Sequence, residues 1–436
     1  MSTPRPLRAD NDVVIIGAGI IGCAAAYYLA RRGLTVTLLE KGRLGWEQSG
    51  RNWGFVRQQR RGPVETPVMA LGIRLWRELS AELEADVAFV QGGGLTIAKT
   101  EAELPALEEA RRVCVEHGIE TNLLTPDQVR GLLPGIEGNF AGGLHTPSDG
   151  VAHPLQSTLA LAAAAERHGA ELHPYTPVEG FVTAGGAVTG VVTPRGEVRG
   201  RTVICAAGVH SARLARMLGV NLPQRGVRVT VAATVPLPPV TQMAVFYRDV
   251  CFRQHRDGSL VLARTFTGAA DYDVTLDAFR NLGMFLPTLL RNRGMVRLHV
   301  GRPLWEDLKR ALPWSEARRH PFADAVDLEP PPNPRLVEAC RQAFMAHFPA
   351  LGDVPIDRTW GGIIDSTPDL TPVVGPVPGR EGLFFATGFS GHGFAMGPPM
   401  GLLIAEWLTE GRPSLDLHGM RFERFREGAY AAKKVG

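Results

Sequence analysis

Cysteine is scarce in this chain. The five present, Cys23, Cys114, Cys205, Cys251 and Cys340, are scattered, odd in number and include no C-x-x-C pair, which excludes a disulfide framework and a cysteine-built zinc site. A reducing, cytoplasmic setting and no metal are expected. An excess of one charge is lacking too. Forty-seven Lys and Arg stand against forty-four Asp and Glu, a formal net charge of +3, too little to mark a nucleic-acid surface. No stretch approaches 18 consecutive apolar residues, so no transmembrane helix is expected. The apolar run Val13 to Ile16 breaks at Gly17, Gly19 and Gly22 with no small-residue cleavage site after it, which argues against a signal peptide. The 50 Gly and 33 Pro carry no G-X-Y period and read as turns. What is present is a chain of 436 residues, 44% hydrophobic, enough for about two to four domains.

Residues 12 to 41 read as a β-α-β unit: a β-branched apolar run, three glycines, a helix-compatible stretch ending at Gly33, and a second apolar strand closed by Glu40. A helix is expected from Pro154 to His168, then an antiparallel meander from Leu172 that returns to the buried strand Val203 to Gly208. Strands are expected at Val227 to Val231, Cys251 to Arg253 and Leu260 to Ala263, with Asp257-Gly258 as a hairpin turn. The segment 268 to 325 reads as more helical, amphipathic near Leu276 to Leu290 and Trp305 to Leu312, and leaves through Pro330-Pro331-Pro332. A strand at Gly382 to Thr387, a glycine-rich loop and a helix from about Gly401 to Thr409 follow.

Gly17, Gly19 and Gly22 form G-x-G-x-x-G between strand and helix, where bare glycines let the backbone approach a pyrophosphate on the helix N-terminus. Glu40, 18 residues past Gly22 at the end of the second strand, is placed to accept hydrogen bonds from ribose hydroxyls and disfavours a 2′-phosphate. The ADP of FAD or NAD is therefore expected.

That unit, Ser49-Gly50-Arg51-Asn52, Ala207-Gly208, Trp360-Gly361-Gly362 with Thr367-Pro368-Asp369, and Ser390-Gly391-His392-Gly393-Phe394 together resemble the D-amino-acid oxidase type of flavoprotein, which includes glycine oxidase, sarcosine oxidase and D-amino-acid dehydrogenase. The resemblance covers nearly the whole chain and implies an α/β plus α+β architecture. A Rossmann-like FAD-binding domain (1–88, 150–222 and 360–436) would interleave with an antiparallel-sheet substrate domain (89–149 and 223–359) carrying 268–325 as a helical insertion. It implies FAD held by Gly17, Gly19, Ile20, Gly22, Glu40, Lys41, Ser49, Gly50, Arg51, Asn52, Val178, Ala207, Gly208, Gly388, Gly391, His392, Gly393 and Phe394. Ser49 and Arg51 would lie against the pyrophosphate and isoalloxazine. The late loop, opening a helix near Gly397 to Gly401, would offer N–H groups to the reduced flavin. His392 is a candidate proton donor or a positional residue. In sarcosine oxidases the flavin is tied to a cysteine near the chain end; here the last cysteine is Cys340, so a dissociable FAD is expected.

Many of these proteins place an arginine-proline pair before the Thr-Pro-Asp, and that arginine grips the substrate carboxylate. Here Ile364 and Asp365 stand in its place, so another cation must serve. Arg253 is the first substitute, opposite Phe252 by strand alternation. The aromatic and basic loop from Asn52 to Arg61 is the second, with Arg57 and Gln58 as pocket residues and Arg60 and Arg61 as a solvated charge run. Trp360 joins them as a candidate.

The RNWGFVRQQ stretch, the missing arginine and the extra helical segment resemble most closely a bacterial subgroup of L-amino-acid oxidases and deaminases. The resemblance implies oxidative deamination, with hydride passing from Cα to flavin N5 and the imino acid hydrolysing to a 2-oxo acid and ammonia, L-amino acids favoured. Dioxygen, a quinone or an electron-transfer protein would be the acceptor, and a homodimer is possible. Other readings are a D-amino acid, hydroxyproline or N-substituted glycine dehydrogenase, a 2-hydroxy acid oxidase, or the flavin subunit of an electron-transfer complex.

Overall fold

A computed structural model of the chain describes residues 6–264, 270–312, 314–315 and 320–431. The strand Asp10–Ile16, the helix Ile20–Arg31 and the strand Val36–Leu39 form the expected β-α-β unit. That helix is buried from Ile20 to Ala30 because it lies between the sheet and the helices Pro154–Arg167 and Gly393–Glu410. Its contact with the latter needs glycine: a Cβ on Gly401 would come within 2.5 Å of the Ala24 backbone.

The first sheet runs, in spatial order, Val373–Pro376, Leu383–Thr387, Gly196–Cys205, Asp10–Ile16, Val36–Leu39, Glu171–His173. All neighbours are parallel except the edge strand Val373–Pro376, the pattern of a sheet covered on both faces. Gly180–Ala184 and Ala187–Thr193 extend antiparallel from Gly196–Cys205. The meander expected from Leu172 thus begins at Gly180. Residues 171–173 instead pair in parallel with Val36–Leu39 at the edge of the nucleotide sheet.

The second sheet has ten strands and is built around the long strand Arg225–Pro236. One edge of that strand pairs with Ile356–Ser366 and the other with Ser259–Ala263 and Ala270–Asp273. Gly94–Ala98, Gly142–Thr146 and Asn122–Leu124 complete the sheet beyond Cys251–Gln254 and Ala244–Phe246. A boundary at residue 360 cuts a single strand, because Trp360 pairs with Val231 in mid-ladder. Behind this sheet pack Phe252, Phe344 and Phe348.

Segment 268–325 is mixed, not simply helical; residues 268–269, 313 and 316–319 lie outside the described residues. Helices Leu276–Arg280, Leu282–Arg291 and Arg302–Ala311 alternate with strands Ala270–Asp273 and Val296–His299 that widen the second sheet. Apolar side chains stand exposed on it, among them Phe279, Leu290 and Trp305. Among the described residues no helix is long and apolar enough to cross a membrane. All five cysteines are buried and none is in a disulfide among the described residues.

Candidate active site

A cavity with about 1210 Å³ of empty volume is lined by Ile16 and Gly17, Leu39 and Glu40, and Ala206 and Ala207, at the carboxyl ends of three neighbouring parallel strands. This is where open α/β sheets hold ligands. Gly17 has φ +103°, and a Cβ there would lie 2.6 Å from the Ala206 carbonyl oxygen. A Cβ on Gly22 would lie 2.0 Å from the Gly17 oxygen, so the first and third glycines are required by the turn itself. Ser49 Oγ accepts the Ile20 N–H at 2.9 Å. Glu40 accepts N–H groups from Ala18 at 2.8 Å and Gly42 at 3.0 Å. Burial pushes its carboxyl above the usual range, and neighbouring Lys41 opposes that. A glycine cradle at a helix N-terminus, with a carboxylate clamped beside it, fits an adenine dinucleotide.

The sequence reading missed the wall around Glu47. Arg43 stacks over Trp46 with its guanidinium carbon 3.2 Å from the ring centroid. Asp327, distant in sequence, accepts the Arg43 N–H at 2.7 Å and Nε at 3.0 Å. Glu47 pairs with Lys41 and with His210 Nε2 at 3.2 Å. Burial alone would raise the Glu47 carboxyl, but His210 and Lys41 hold it down to about 2. These contacts join segments 163 and 284 residues apart, which no local motif announces.

At the opposite end Ile363, Asp365, Phe389, Gly391, Gly393 and Phe394 line the cavity. The helix here begins at Gly393, not at 397–401, and runs to Glu410 through Pro398 and Pro399. Its first-turn N–H groups and positive dipole end therefore lie at the cavity. Asp365 accepts the Gly388 N–H at 2.8 Å and Gln224 Nε2 at 3.2 Å, and burial pushes its carboxyl up to about 6. Thr367 and Asp369 do not reach the cavity. Asp369 holds the buried Arg424 by two hydrogen bonds, 2.9 and 3.1 Å, so the Thr-Pro-Asp motif is a structural clamp.

Of the expected cofactor residues, Gly17, Gly19, Ile20, Glu40, Lys41, Ser49 and Asn52 line the cavity, as do Val178, Ala207, Gly208, Gly391, Gly393 and Phe394. Gly22, Gly50, Arg51, Gly388 and His392 are not among its lining residues. Gly50 packs on Gly45, where a Cβ would meet a carbonyl oxygen at 2.5 Å. The Arg51 guanidinium is committed to the carbonyls of Trp46 and Gly361 and to Glu329. Trp360 also lies off the cavity, its Nε1 donating to the Arg51 carbonyl at 2.9 Å.

The loop after Trp53 departs most from expectation. Phe55–Val56 pairs with Gly150–Val151 and carries Arg57, Gln58 and Gln59 into the interior. Arg57 lies with its guanidinium carbon 4.0 Å from the Phe246 ring centroid; its Nε and Nη1 are buried and have no hydrogen-bond partner. Arg61 Nε and Nη1 are in the same condition. Arg60 and Arg61, expected as a solvated charge run, are only partly exposed, because the chain turns inward at Arg60, φ +59°. Burial, and the other arginines of the loop, push the Arg57 guanidinium well below its usual range, and burial lowers Arg61. Gln58 is fixed on Asp149 and Ser148; burial pushes the Asp149 carboxyl up to about 6. His392 adjoins this cluster. Its Nδ1 lies 2.8 Å from Glu65 Oε1, and burial, with Arg61 beside it, lowers it to about 4. The neutral ring thus donates Nδ1–H to Glu65 and keeps Nε2 as an acceptor.

Arg253 does lie opposite Phe252, which packs behind the sheet, but it does not line the large cavity. Its Nε donates to the Trp53 carbonyl, and Nη1 lies 3.3 Å from His255 Nδ1. It borders a second cavity with His153, His255 and Asp257. Burial lowers its guanidinium to about 9, and burial with the Arg253 charge lowers His255 to about 3.

Comparison with known proteins agrees with this architecture. The L-amino acid deaminase from Proteus myxofaciens, solved with anthranilate, superposes with a TM-score of 0.91 at 26% identity, covering 98% of this chain and 96% of that one. The L-proline dehydrogenase of P. horikoshii gives 0.79 at 25%, covering 97% and 99%. Sarcosine oxidase subunit beta from Arthrobacter sp is 28% identical over 98% of this chain and 94% of its own length. Human mitochondrial sarcosine dehydrogenase is 27% identical over 97% of this chain, which spans only 42% of that longer protein. The family model for DAO, FAD dependent oxidoreductase, matches residues 12–407, and the chain is a member of that family, an FAD-dependent oxidoreductase.

Proposed function

We propose that this protein oxidises the Cα–N bond of an amino acid, L-amino acids favoured, with FAD bound non-covalently in the 1210 Å³ cavity and Arg57 holding the substrate carboxylate. The observation that carries the reading is a buried guanidinium stacked on Phe246 whose Nε and Nη1 have no hydrogen-bond partner, beside His392 of the loop at the flavin end of the cavity. Asp149 and the Phe246 ring favour the cation, and a ligand carboxylate would supply the hydrogen bonds that its Nε and Nη1 lack. Gly17 and Gly19 would admit the pyrophosphate, Glu40 would take the ribose, and the N–H groups of Gly393 and Phe394 would face the flavin pyrimidine. Lys41, Ser49, Asn52, Val178, Ala207 and Gly208 would complete the wall. No cysteine is among the residues lining the cavity, which supports a dissociable cofactor.

FAD, when bound, supplies the acceptor for a hydride leaving Cα. Arg57 would fix the carboxylate in two-point contact, and Gln58 would keep Asp149 turned so that the loop holds its shape. His392, lowered to about 4 by burial and Arg61, would position its loop through Glu65, and the amine would bind in its neutral form after losing its proton to water. The resulting imine hydrolyses in water to a 2-oxo acid and ammonia. The likeness to the Proteus deaminase supports the L-preference. The sarcosine oxidase and dehydrogenase relatives favour a second reading, an N-substituted glycine as substrate in a chain that serves as one subunit of a larger enzyme.

Anaerobic mixing of the yellow protein with L- and D-amino acids, sarcosine and 2-hydroxy acids tests this. Bleaching of the flavin band by L-amino acids is expected; bleaching by sarcosine alone establishes the second reading, and bleaching by hydroxy acids alone refutes both. Admitting air afterwards separates dioxygen from a quinone or protein acceptor.

A further inference from the structure

One carboxylate needs one guanidinium fork, yet the loop after Trp53 carries two, Arg57 and Arg61, beside the cavity and not among its lining residues. Arg57 is 4% exposed, and four buried nitrogens, Nε and Nη1 of Arg57 and of Arg61, have no hydrogen-bond partner. Two carboxylates, Asp149 and Glu65, act on these arginines by charge, but neither meets the four nitrogens by a hydrogen bond, and Asp149 Oδ2 is itself buried without a hydrogen-bond partner. Asp149 Oδ1 accepts both the backbone N–H and the side-chain amide of Gln58, at 2.7 and 3.2 Å. Glu65 accepts from His392 at 2.8 Å. The turn at Arg60 places both arginines against one set of neighbours, since Asp149 and His392 each feel the charge of both.

We propose that this pair selects substrates bearing two carboxylates, an amino- or imino-dicarboxylic acid, with Arg57 on the carboxylate next to the reacting carbon and Arg61 on the distal one. The proposal rests on Arg57 being the carboxylate anchor of the proposed amine oxidation. The distal carboxylate takes no part in bond making; the oxidation remains that of the Cα–N bond. The physical reason is that each buried fork offers paired N–H groups matched to one carboxylate, and Glu65 and Asp149 offset the burial of Arg61 by charge without supplying the hydrogen bonds its Nε and Nη1 lack.

Titrating the yellow holoenzyme with succinate and with butyrate, read by the shift of the flavin visible band, tests the pair independently of turnover. Succinate is expected to bind at least about tenfold more tightly than butyrate. In Arg61→Ala the ratio of the two dissociation constants should fall to within about twofold, and in Arg57→Ala both constants should rise. Equal binding of succinate and butyrate by the unaltered protein overturns the proposal, whatever the variants do. So does an Arg61→Ala protein that keeps the preference. Anaerobic bleaching then separates the two readings. L-glutamate or iminodiacetate bleaching faster than L-norvaline supports both. A succinate preference without bleaching by any amine retains the anion pair and removes the proposed oxidation.

Discussion

The two ends of the proposed site would recognise their ligands by different means. The nucleotide end would work through backbone: three glycines, a helix N-terminus and one carboxylate that itself holds two N–H groups. The substrate end would work through long side chains, Arg57, Arg61, Gln58 and His392, supplied by two loops and kept in place by burial. Backbone recognition constrains residue type at fixed spacing and is hard to move. Side-chain recognition needs only a charge of the right sign at the right place, and any nearby element can deliver it.

The strongest way to test the contrast is at Gly17. Valine there would meet a carbonyl oxygen at 2.6 Å in a left-handed backbone, so Gly17→Val should yield colourless protein, seen as loss of the visible flavin spectrum. At the other end Arg57→Ala should keep its colour and lose about thirty- to several-thousand-fold in kcat/KM for flavin reduction. Arg253→Ala, whose side chain serves the Trp53 carbonyl and a separate cavity, should stay within about tenfold. The opposite ranking would return the anchor to the sheet.

Glu40→Gln keeps the shape of the clamp without its charge, so FAD affinity should fall by about 1.5–3 kcal/mol, roughly ten- to a hundredfold in Kd. Reduction of protein saturated with FAD should be little altered. The smallest effect on flavin reduction is expected at Asp365, where the readout is stability. Its folded carboxyl lies near 6, above the ordinary 3.8, so burial favours the protonated form. The associated stability is present below about pH 4 and is lost as pH rises towards 6. Asp365→Asn does not titrate. Its melting temperature relative to wild-type apoprotein should therefore climb between pH 4 and 6 and level off above, for a gain on the order of 3 kcal/mol. A gap that does not change with pH would place the charge elsewhere.

This difference also explains what could be read from the residues alone. The β-α-β unit, Glu40 and the late glycine loop were legible because turn chemistry and period are local. The candidates for the substrate anchor were legible, Arg253 on its strand and Arg57 with Gln58 in the loop, but not the choice among them, which is the proposal's. Strand alternation correctly put Arg253 and Phe252 on opposite faces, but gave no sign that the arginine would be drawn to the Trp53 carbonyl. Arg60 and Arg61 looked like a solvated run because hydropathy reads charge as exposure, and the inward turn at Arg60 depends on a non-glycine left-handed residue that no propensity signals. Asp327 and His210 reach the nucleotide wall through pairings across hundreds of residues. The Thr-Pro-Asp motif was recognised while its work, clamping Arg424, was invisible.

The cavity wall begins at Ile16 and is not finished until Phe394. A chain emerging from the ribosome therefore carries its glycine motif for most of its synthesis before the last wall is made. With FAD seated in this cavity, as proposed, the cofactor is a ligand of the whole fold and not of its first domain. Its binding then draws unfolded chain toward the native state by mass action, and a lesion far from the cofactor, at the Asp369–Arg424 clamp for instance, would announce itself as pale protein before any loss of catalytic competence in the molecules that remain yellow.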